Sequence, residues 1–289
     1  MSILIDKNTK VLVQGITGNI GTTQTRYMLK EGTNIVAGVT PGKGGLKVED
    51  VPVFDTVGEA VNNFPIDVSL LFVPARVAKD SVLEAIDAGI KTVVLITEHT
   101  PVHDVMEMKA YALQKNAILI GPTTPGIITP DECKIGILPT NMFCPGPVGI
   151  VSRSGTLAYE VAANLCAIGI GQSTVVGMGA DRVAGTNLVD ILRLFNQDNE
   201  TKVVVVVGEI GGTQEEDAAE YIKEKMNKPV IAYIAGASVP PGKRMGHAGA
   251  IIEGGKGSAK SKIQALLAAG AKVANRLYEI PSLAKELIS

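Results

Sequence analysis

Lys10-Val11-Leu12-Val13-Gln14-Gly15-Ile16-Thr17-Gly18-Asn19-Ile20-Gly21 is a short apolar run that stops on a glycine turn. Residues 22–30 beyond it have helical character and end near Gly32. Strand, glycine turn and helix in this order open a βαβ unit, and such units build a parallel sheet covered by helices. The turn is also shaped as a phosphate cradle. Its glycines let the backbone approach, and free N–H groups at the helix N-terminus face the anion. The spacing is G-x-x-G-x-x-G, not the dinucleotide fingerprint G-x-G-x-x-G, so the turn alone does not separate a ligand site from a tight bend.

The next strand, Asn34–Val39, bears on which ligand would fit. Dinucleotide folds that bind NAD carry an acidic residue about 20 residues beyond the first turn, to hold a ribose hydroxyl. Here the strand runs into Thr40-Pro41-Gly42-Lys43-Gly44-Gly45, which offers a cation and no carboxylate. That chemistry suits a phosphorylated ribose, as in NADP or coenzyme A, better than a plain diol.

The alternation continues. Residues 67–73, 91–96 and 117–120 read as strands, and 75–87 and 102–115 as helices. Glu98 and His99 fall where a strand ends, the edge that carries ligands in parallel sheets, a place that equally suits a helix cap or a solvated side chain. From 121 to 147 six prolines break the rhythm, and the expected domain junction lies there. The expected organisation is 1–125, a connection over 126–146, and a second domain over 147–289.

Composition fits this reading. The 289 residues carry a net charge of −2, 32 glycines and no tryptophan. A near-neutral chain poor in aromatics lacks the basic stripe and stacking rings of a nucleic-acid surface. The three cysteines, Cys133, Cys144 and Cys166, form no close pair in sequence, so neither a disulfide framework nor a metal site is expected. The N-terminus has no long apolar core of a signal peptide, and no uninterrupted run reaches membrane-spanning length, so a cytoplasmic setting is expected.

In the second half, four apolar strands each end on a small polar turn. Residues 148–151 lead into Ser152-Arg153-Ser154-Gly155-Thr156, and a helix follows. Residues 173–178 lead into Gly179-Ala180-Asp181-Arg182, and 202–207 into Gly208-Glu209-Ile210-Gly211-Gly212. Val230 to Ile234 leads into Gly242-Lys243-Arg244-Met245-Gly246-His247-Ala248-Gly249-Ala250, ahead of a helix at 258–269. Parallel strands put such turns along one edge, so Ser154, Asp181, Glu209 and His247 are expected to converge. A histidine among glycines and cations is suited to take up and hand on an anionic group. A carboxylate on one ring nitrogen would fix the tautomer and leave the other free to attack.

Gly42-Lys43-Gly44-Gly45, Ser152 to Leu157, Gly208 to Gly212 and Arg244-Met245-Gly246-His247-Ala248-Gly249 occur in this order. Together they resemble the alpha subunits of succinyl-CoA synthetase, the ADP- or GDP-forming succinate–CoA ligases, over essentially the whole chain. The resemblance implies an α/β protein with an N-terminal Rossmann-like CoA-binding domain and then a flavodoxin-like ligase domain, both with mainly parallel sheets. It implies that Thr17, Gly18, Asn19, Ile20, Lys43, Ile96, Thr97 and Glu98 hold coenzyme A. It implies that His247 is phosphorylated transiently, that Glu209 orients it, that Ser154, Gly155 and Thr156 receive the phosphate, and that Tyr159 lies near the organic acid. ATP or GTP with Mg would sit on a separate ATP-grasp beta subunit, in a heterodimer or heterotetramer, and the reaction would belong to the tricarboxylic acid cycle. No nucleic-acid or membrane partner and no resident metal is implied.

Thr123-Thr124, His99, Ala180 and Arg182 depart from the usual family residues and leave the acid open between succinate, malate and others. Rival readings are a nicotinamide-dependent oxidoreductase, disfavoured by the glycine spacing and the missing acid, and a non-catalytic CoA-binding module.

Overall fold

The computed structural model describes residues 2–237, 247–251 and 257–288. In chain order the first half carries β1 (Lys10–Gln14), α1 (Asn19–Lys30), β2 (Asn34–Val39), β3 (Lys47–Val48), β4 (Val51–Phe54), α2 (Val57–Asn63), β5 (Val68–Leu71), α3 (Ala75–Asp87), β6 (Thr92–Leu95), α4 (Val102–Gln114), β7 (Ile118–Ile120), β8 (Gly126–Thr129) and β9 (Cys133–Gly136). The second half carries β10 (Pro145–Ser152), α5 (Gly155–Ala167), β11 (Gln172–Gly177), α6 (Leu188–Gln197), β12 (Val203–Glu209), α7 (Gln214–Lys225), β13 (Val230–Ala235), α8 (Ala259–Ala268), β14 (Lys272–Val273) and α9 (Ile280–Ile288). The chain divides into two compact units, one of Leu4–Leu138 with Val183–Thr186, the other of Pro139–Arg182 and Asn187–Ser289 with the first three residues.

The first unit is built on a sheet ordered β3-β4-β2-β1-β5-β6-β7. All neighbours are parallel except the short β3–β4 pair. Setting β3 aside and renumbering the parallel strands in chain order gives 3-2-1-4-5-6, the Rossmann arrangement. Its interior strands bury Leu12, Ala37, Leu71, Val93 and Leu95, against Ala78, Val82, Val105 and Met108 of the helices. Strands buried on both faces favour apolar residues, so β1, β5 and β6 are rich in Val and Leu, and of the buried polar exceptions Gln14 and Ser69 hydrogen-bond each other at 3.0 Å.

Among the described residues the second unit has five parallel strands ordered β14-β13-β12-β10-β11. In chain order this is 2-1-3-4-5, the flavodoxin-like arrangement. Its centre is β12, five consecutive valines at 203–207, each without solvent exposure. Gly149 on β10 leaves room for the ring of Phe195, because a Cβ there would stand 2.5 Å from the ring carbon Cε1.

Two expectations are corrected. Residues 121–147 are not uniformly irregular: β8 and β9 pair antiparallel within them, and β10 begins at Pro145. The prolines fall outside β8 and β9 (Pro125 just before, Pro130 in the turn), so no ladder bond is lost to them. The cysteines are not all free either. Cys144 and Cys166 are disulfide-bonded with their Cα atoms 5.8 Å apart, and only Cys133 remains a thiol, buried. The pairing is invisible in sequence because the start of β10 and the end of α5 meet only through the fold.

Phe195→Ala should cost about 3–5 kcal/mol, since it removes a fully buried ring that the sheet has little freedom to refill. Urea unfolding followed by circular dichroism checks this. A midpoint unchanged from the parent would contradict the packing described.

Candidate functional site

Each unit presents polar residues at the carboxyl edge of its sheet. In the first, Gly15 follows β1 with φ +76, and a Cβ there would stand 2.4 Å from the carbonyl oxygen of Phe72. Only glycine meets both demands without strain. Gly21 is needed for closeness alone: a Cβ would lie 2.2 Å from the Gly15 oxygen. Together they press the start of α1 onto the end of β1.

Helix α1 begins earlier than its sequence suggests, at Asn19, with Gly18 as N-cap. No side chain caps it and no acid lies in its first turn. Its leading N–H groups therefore add to the positive end of the helix dipole with no acid in that turn to offset them. Thr17, Gly18, Asn19 and Ile20 straddle this start. The Thr17 hydroxyl donates to Thr40 Oγ1 at 3.1 Å, which ties the turn to the end of β2.

Lys43 lies in the following loop. Its backbone N–H and that of Gly44 both donate to Asp55 Oδ1, at 2.9 and 2.8 Å. Asp55 shapes the loop that carries the cation, a role the sequence did not signal because the two lie 12 residues apart. After β6, Ile96 N–H donates to Leu71 O at 3.3 Å, and the Thr97 hydroxyl donates to Val73 O at 2.6 Å. Glu98 and His99 are solvent-exposed and 3.9 Å apart. His99 has φ +59, a left-handed conformation that glycine accepts freely and most other residues avoid. The eight residues therefore lie beyond β1, β2 and β6, on one edge of one sheet.

In the second unit the strand order changes direction between β10 and β12, the point where such sheets open a crevice. Arg153 and Ser154 leave β10 there, and Glu209 is the last residue of β12. Ser154 caps α5, its hydroxyl accepting from Leu157 N–H at 3.4 Å. Glu209 is 5% exposed at its side chain, and His247 is 39% exposed. Glu209 Oε2 and His247 Nδ1 are 2.5 Å apart. An ionised carboxylate only accepts, so Nδ1 donates and Nε2 is left without this partner.

This contact raises the His247 pKa above its ordinary 6.5. The Glu209 hydrogen bond is the leading cause, partly opposed by burial, with the Glu209 and Asp181 charges raising it further and the Arg153 charge lowering it. The contact therefore favours the folded state fully below pH 6.5, and this contribution fades as pH rises through the raised value. It also means that the ring carries an open lone pair on Nε2 only once pH exceeds that raised value.

Behind the pair lies a buried charge cluster. Arg153 Nη2 is 3.2 Å from Glu209 Oε1, close enough for an ion pair but misaligned for a hydrogen bond. Arg153 Nη1 donates to the carbonyls of Glu209 and Gly211 and to Glu215 Oε1, at 3.3, 3.1 and 3.0 Å. Glu215 also accepts from Glu209 N–H at 3.1 Å and from Lys262 Nζ. Gly208 makes this possible: a Cβ would stand 2.6 Å from Glu215 Oε1. The Gly249 N–H donates to Ala180 O at 3.0 Å, which ties the segment after His247 to the turn holding Asp181.

The fold thus brings Glu209 and His247 together, with Asp181 within electrostatic reach and Ser154 beside Arg153. Tyr159 has another neighbour: its ring lies edge-on to Phe143, centroids 6.1 Å apart, and burial pushes its phenol up to about 12. Gly155 and Thr156 form the first turn of α5, which contains no acid. The expected cations Lys243 and Arg244 lie outside the described residues. Sequence reasoning missed Glu215 and Lys262, because an acid in the first turn of a helix and a lysine on another both read as solvated.

Profiles described as CoA binding domain and CoA-ligase match residues 6–99 and 151–272. Over 288 residues the chain is 58% identical to succinate–CoA ligase [ADP-forming] subunit alpha 2 of Archaeoglobus fulgidus, covering all of both chains. It is 57% identical over 282 residues to succinate–CoA ligase [ADP-forming] subunit alpha of Staphylococcus aureus, covering 98% of this chain and 93% of that one. Among solved structures, an ATP citrate lyase of Methanosaeta concilii in complex with (3S)-citryl-CoA superposes with a TM-score of 0.90 at 28% identity. That match covers 99% of this chain and half of the lyase chain.

Glu209→Gln should lower the His247 pKa, because it removes the charge that stabilises the imidazolium. Proton NMR titration of the three histidines measures this, with His247→Ala supplying the assignment. An unchanged titration midpoint would contradict the contact.

Proposed function

Since the chain belongs to the family of succinate–CoA ligase alpha subunits and forms part of an acid–CoA ligase, we propose that His247 carries the phosphoryl group between nucleotide and acid. The observation that carries this reading is the 2.5 Å contact between Glu209 Oε2 and His247 Nδ1. It occupies one ring nitrogen and leaves the other as a nucleophile on a half-exposed ring.

The Nε2 lone pair forms a bond to the terminal phosphorus of ATP or GTP, and the bond from that phosphorus to the diphosphate oxygen breaks. Glu209 holds the Nδ1 proton throughout and offsets positive charge on the ring. A carboxylate oxygen of the organic acid then takes the phosphoryl group, and the N–P electron pair returns to Nε2. The coenzyme A thiolate attacks the acyl carbon of the resulting acyl phosphate, and phosphate leaves. Succinate is the acid we assign, as in the relatives' names. The start of α5 at Gly155 and Thr156, free of acids, supplies N–H donors to the phosphate.

In the first unit, Thr17 to Ile20 would hold a CoA phosphate at the uncapped start of α1. Lys43 would meet the phosphorylated ribose, and Ile96, Thr97 and Glu98 would line the rest of the cofactor. The nucleotide with its Mg would be held by an ATP-grasp beta subunit.

Two experiments test the scheme. With ATP or GTP and the beta subunit, the chain should acquire acid-labile, base-stable phosphate, and His247→Ala should take up none. Label persisting in that variant would end the assignment. Lys43→Ala should weaken coenzyme A more than dephospho-CoA in calorimetric titration, and equal losses would remove Lys43 from the ribose phosphate.

A further inference from the structure

We propose that Arg153 is a positioning residue of the histidine site: its guanidinium fork holds the Glu209 carboxylate turned so that Oε2 meets His247 Nδ1, and Glu215 and Lys262 lock that fork in place. The significance of Nε2 as the nucleophile rests on the function proposed above. The positioning itself does not.

The geometry points to this in three ways. First, a carboxylate at the end of a strand has free rotation about its last bonds unless something grips it. Among the described residues, the cation on Glu209 Oε1 is Arg153, at 3.2 Å. With Oε1 drawn to Nη2, Oε2 is the oxygen presented to the ring.

Second, Arg153 grips backbone as well as side chain. Nη1 serves the carbonyl of Glu209 itself and that of Gly211, so one guanidinium fixes both the carboxylate and the main chain that carries it. Gly211 has φ +91, and a Cβ there would lie 2.1 Å from the Gly249 carbonyl oxygen, two residues beyond His247. The turn after β12 and the segment after His247 are thereby packed against each other.

Third, the arginine is itself held. Side chains of Arg153, Glu215 and Lys262 are 4%, 0% and 0% exposed. Glu215 accepts from both cations, and Lys262 Nζ also donates to the Gly211 carbonyl at 2.9 Å. Glu216 Oε2 lies 3.6 Å from Lys262 Nζ. Two cations, Arg153 and Lys262, thus face three carboxylates, Glu209, Glu215 and Glu216, and the side chains of the first four groups are almost entirely closed to water. The charges acting on the ring from these elements are Glu209, Arg153 and Asp181.

A lysine at position 153 would keep the charge but is a single point donor, unable to span Nη1 and Nη2 partners together. The test is therefore Arg153→Lys. In the full chain, without nucleotide or partner, ¹⁵N shifts of the histidine ring report the tautomer at a pH above the His247 titration. The parent should show the Nδ1–H form. Arg153→Lys should shift the ring toward the ordinary Nε2–H form, and phosphohistidine formation in the assembled ligase should fall about a hundredfold, the usual cost of a misplaced reacting group. An Nδ1–H tautomer retained in Arg153→Lys would overturn the proposal.

Should Arg153→Lys fail to fold, the parent chain supplies a second measurement. Arg153 guanidinium protons should be slow to exchange and should shift as His247 titrates. Rapid exchange, or no shift, would equally overturn the proposal. A parent that shows the Nδ1–H form yet accepts no phosphate would refute the proposed function and leave the positioning role standing.

Discussion

A carboxylate buried at the end of β12, bonded to a half-exposed imidazole, is the contact on which the proposed chemistry of this chain depends. It reconciles two opposed demands. In the proposed role the ring would have to be open enough to meet reactants, yet held closely enough that only one nitrogen is available. Burial of Glu209 satisfies the second demand without closing off His247, because the restraint reaches the ring from beneath through Nδ1.

Burying that carboxylate costs hydration free energy, and isolated buried charges are rare for this reason. The protein answers with a cluster in place of a single partner. Arg153, Glu215 and Lys262 alternate in sign behind Glu209, and their remaining donors reach backbone carbonyls at the turn after β12. Such arrangements are weak sources of net stability, since apolar residues of equal volume often do as well. Their value here is geometric. The cluster joins the ends of β10 and β12, the start of α7 and the start of α8 at one point.

The two sheets solve related problems with the same edge. Both place their polar turns beyond the carboxyl ends of parallel strands, at or beside the point where strand order changes direction. The first leaves the start of α1 uncapped, with bare N–H groups suited to an anion. The second caps α5 with Ser154 and gathers charged side chains beside it. One edge thus presents mainly backbone donors, the other mainly charged side chains.

Much of this was legible in residue order. The run Lys10 to Gly21 specified strand, turn and helix because apolar periodicity and glycine placement are local properties. The βα alternation implied parallel sheets, and parallel strands implied that Glu209 and His247, 38 residues apart, would share an edge. Local signals failed where partners are distant. Cys144 and Cys166 are joined, Asp55 shapes the Lys43 loop, and β8 pairs with β9 inside a proline-rich stretch. Glu215 and Lys262 carry sequence contexts typical of solvated helix surfaces, and only packing of α7 and α8 over the end of β12 removes them from water. The chain's order thus determined which residues could meet at the edge of each sheet, since strand direction and period follow from neighbours. Which oxygen of Glu209 faces the ring, and what holds it there, was decided by tertiary structure, because burial and charge pairing are properties of contacts between segments far apart in the chain.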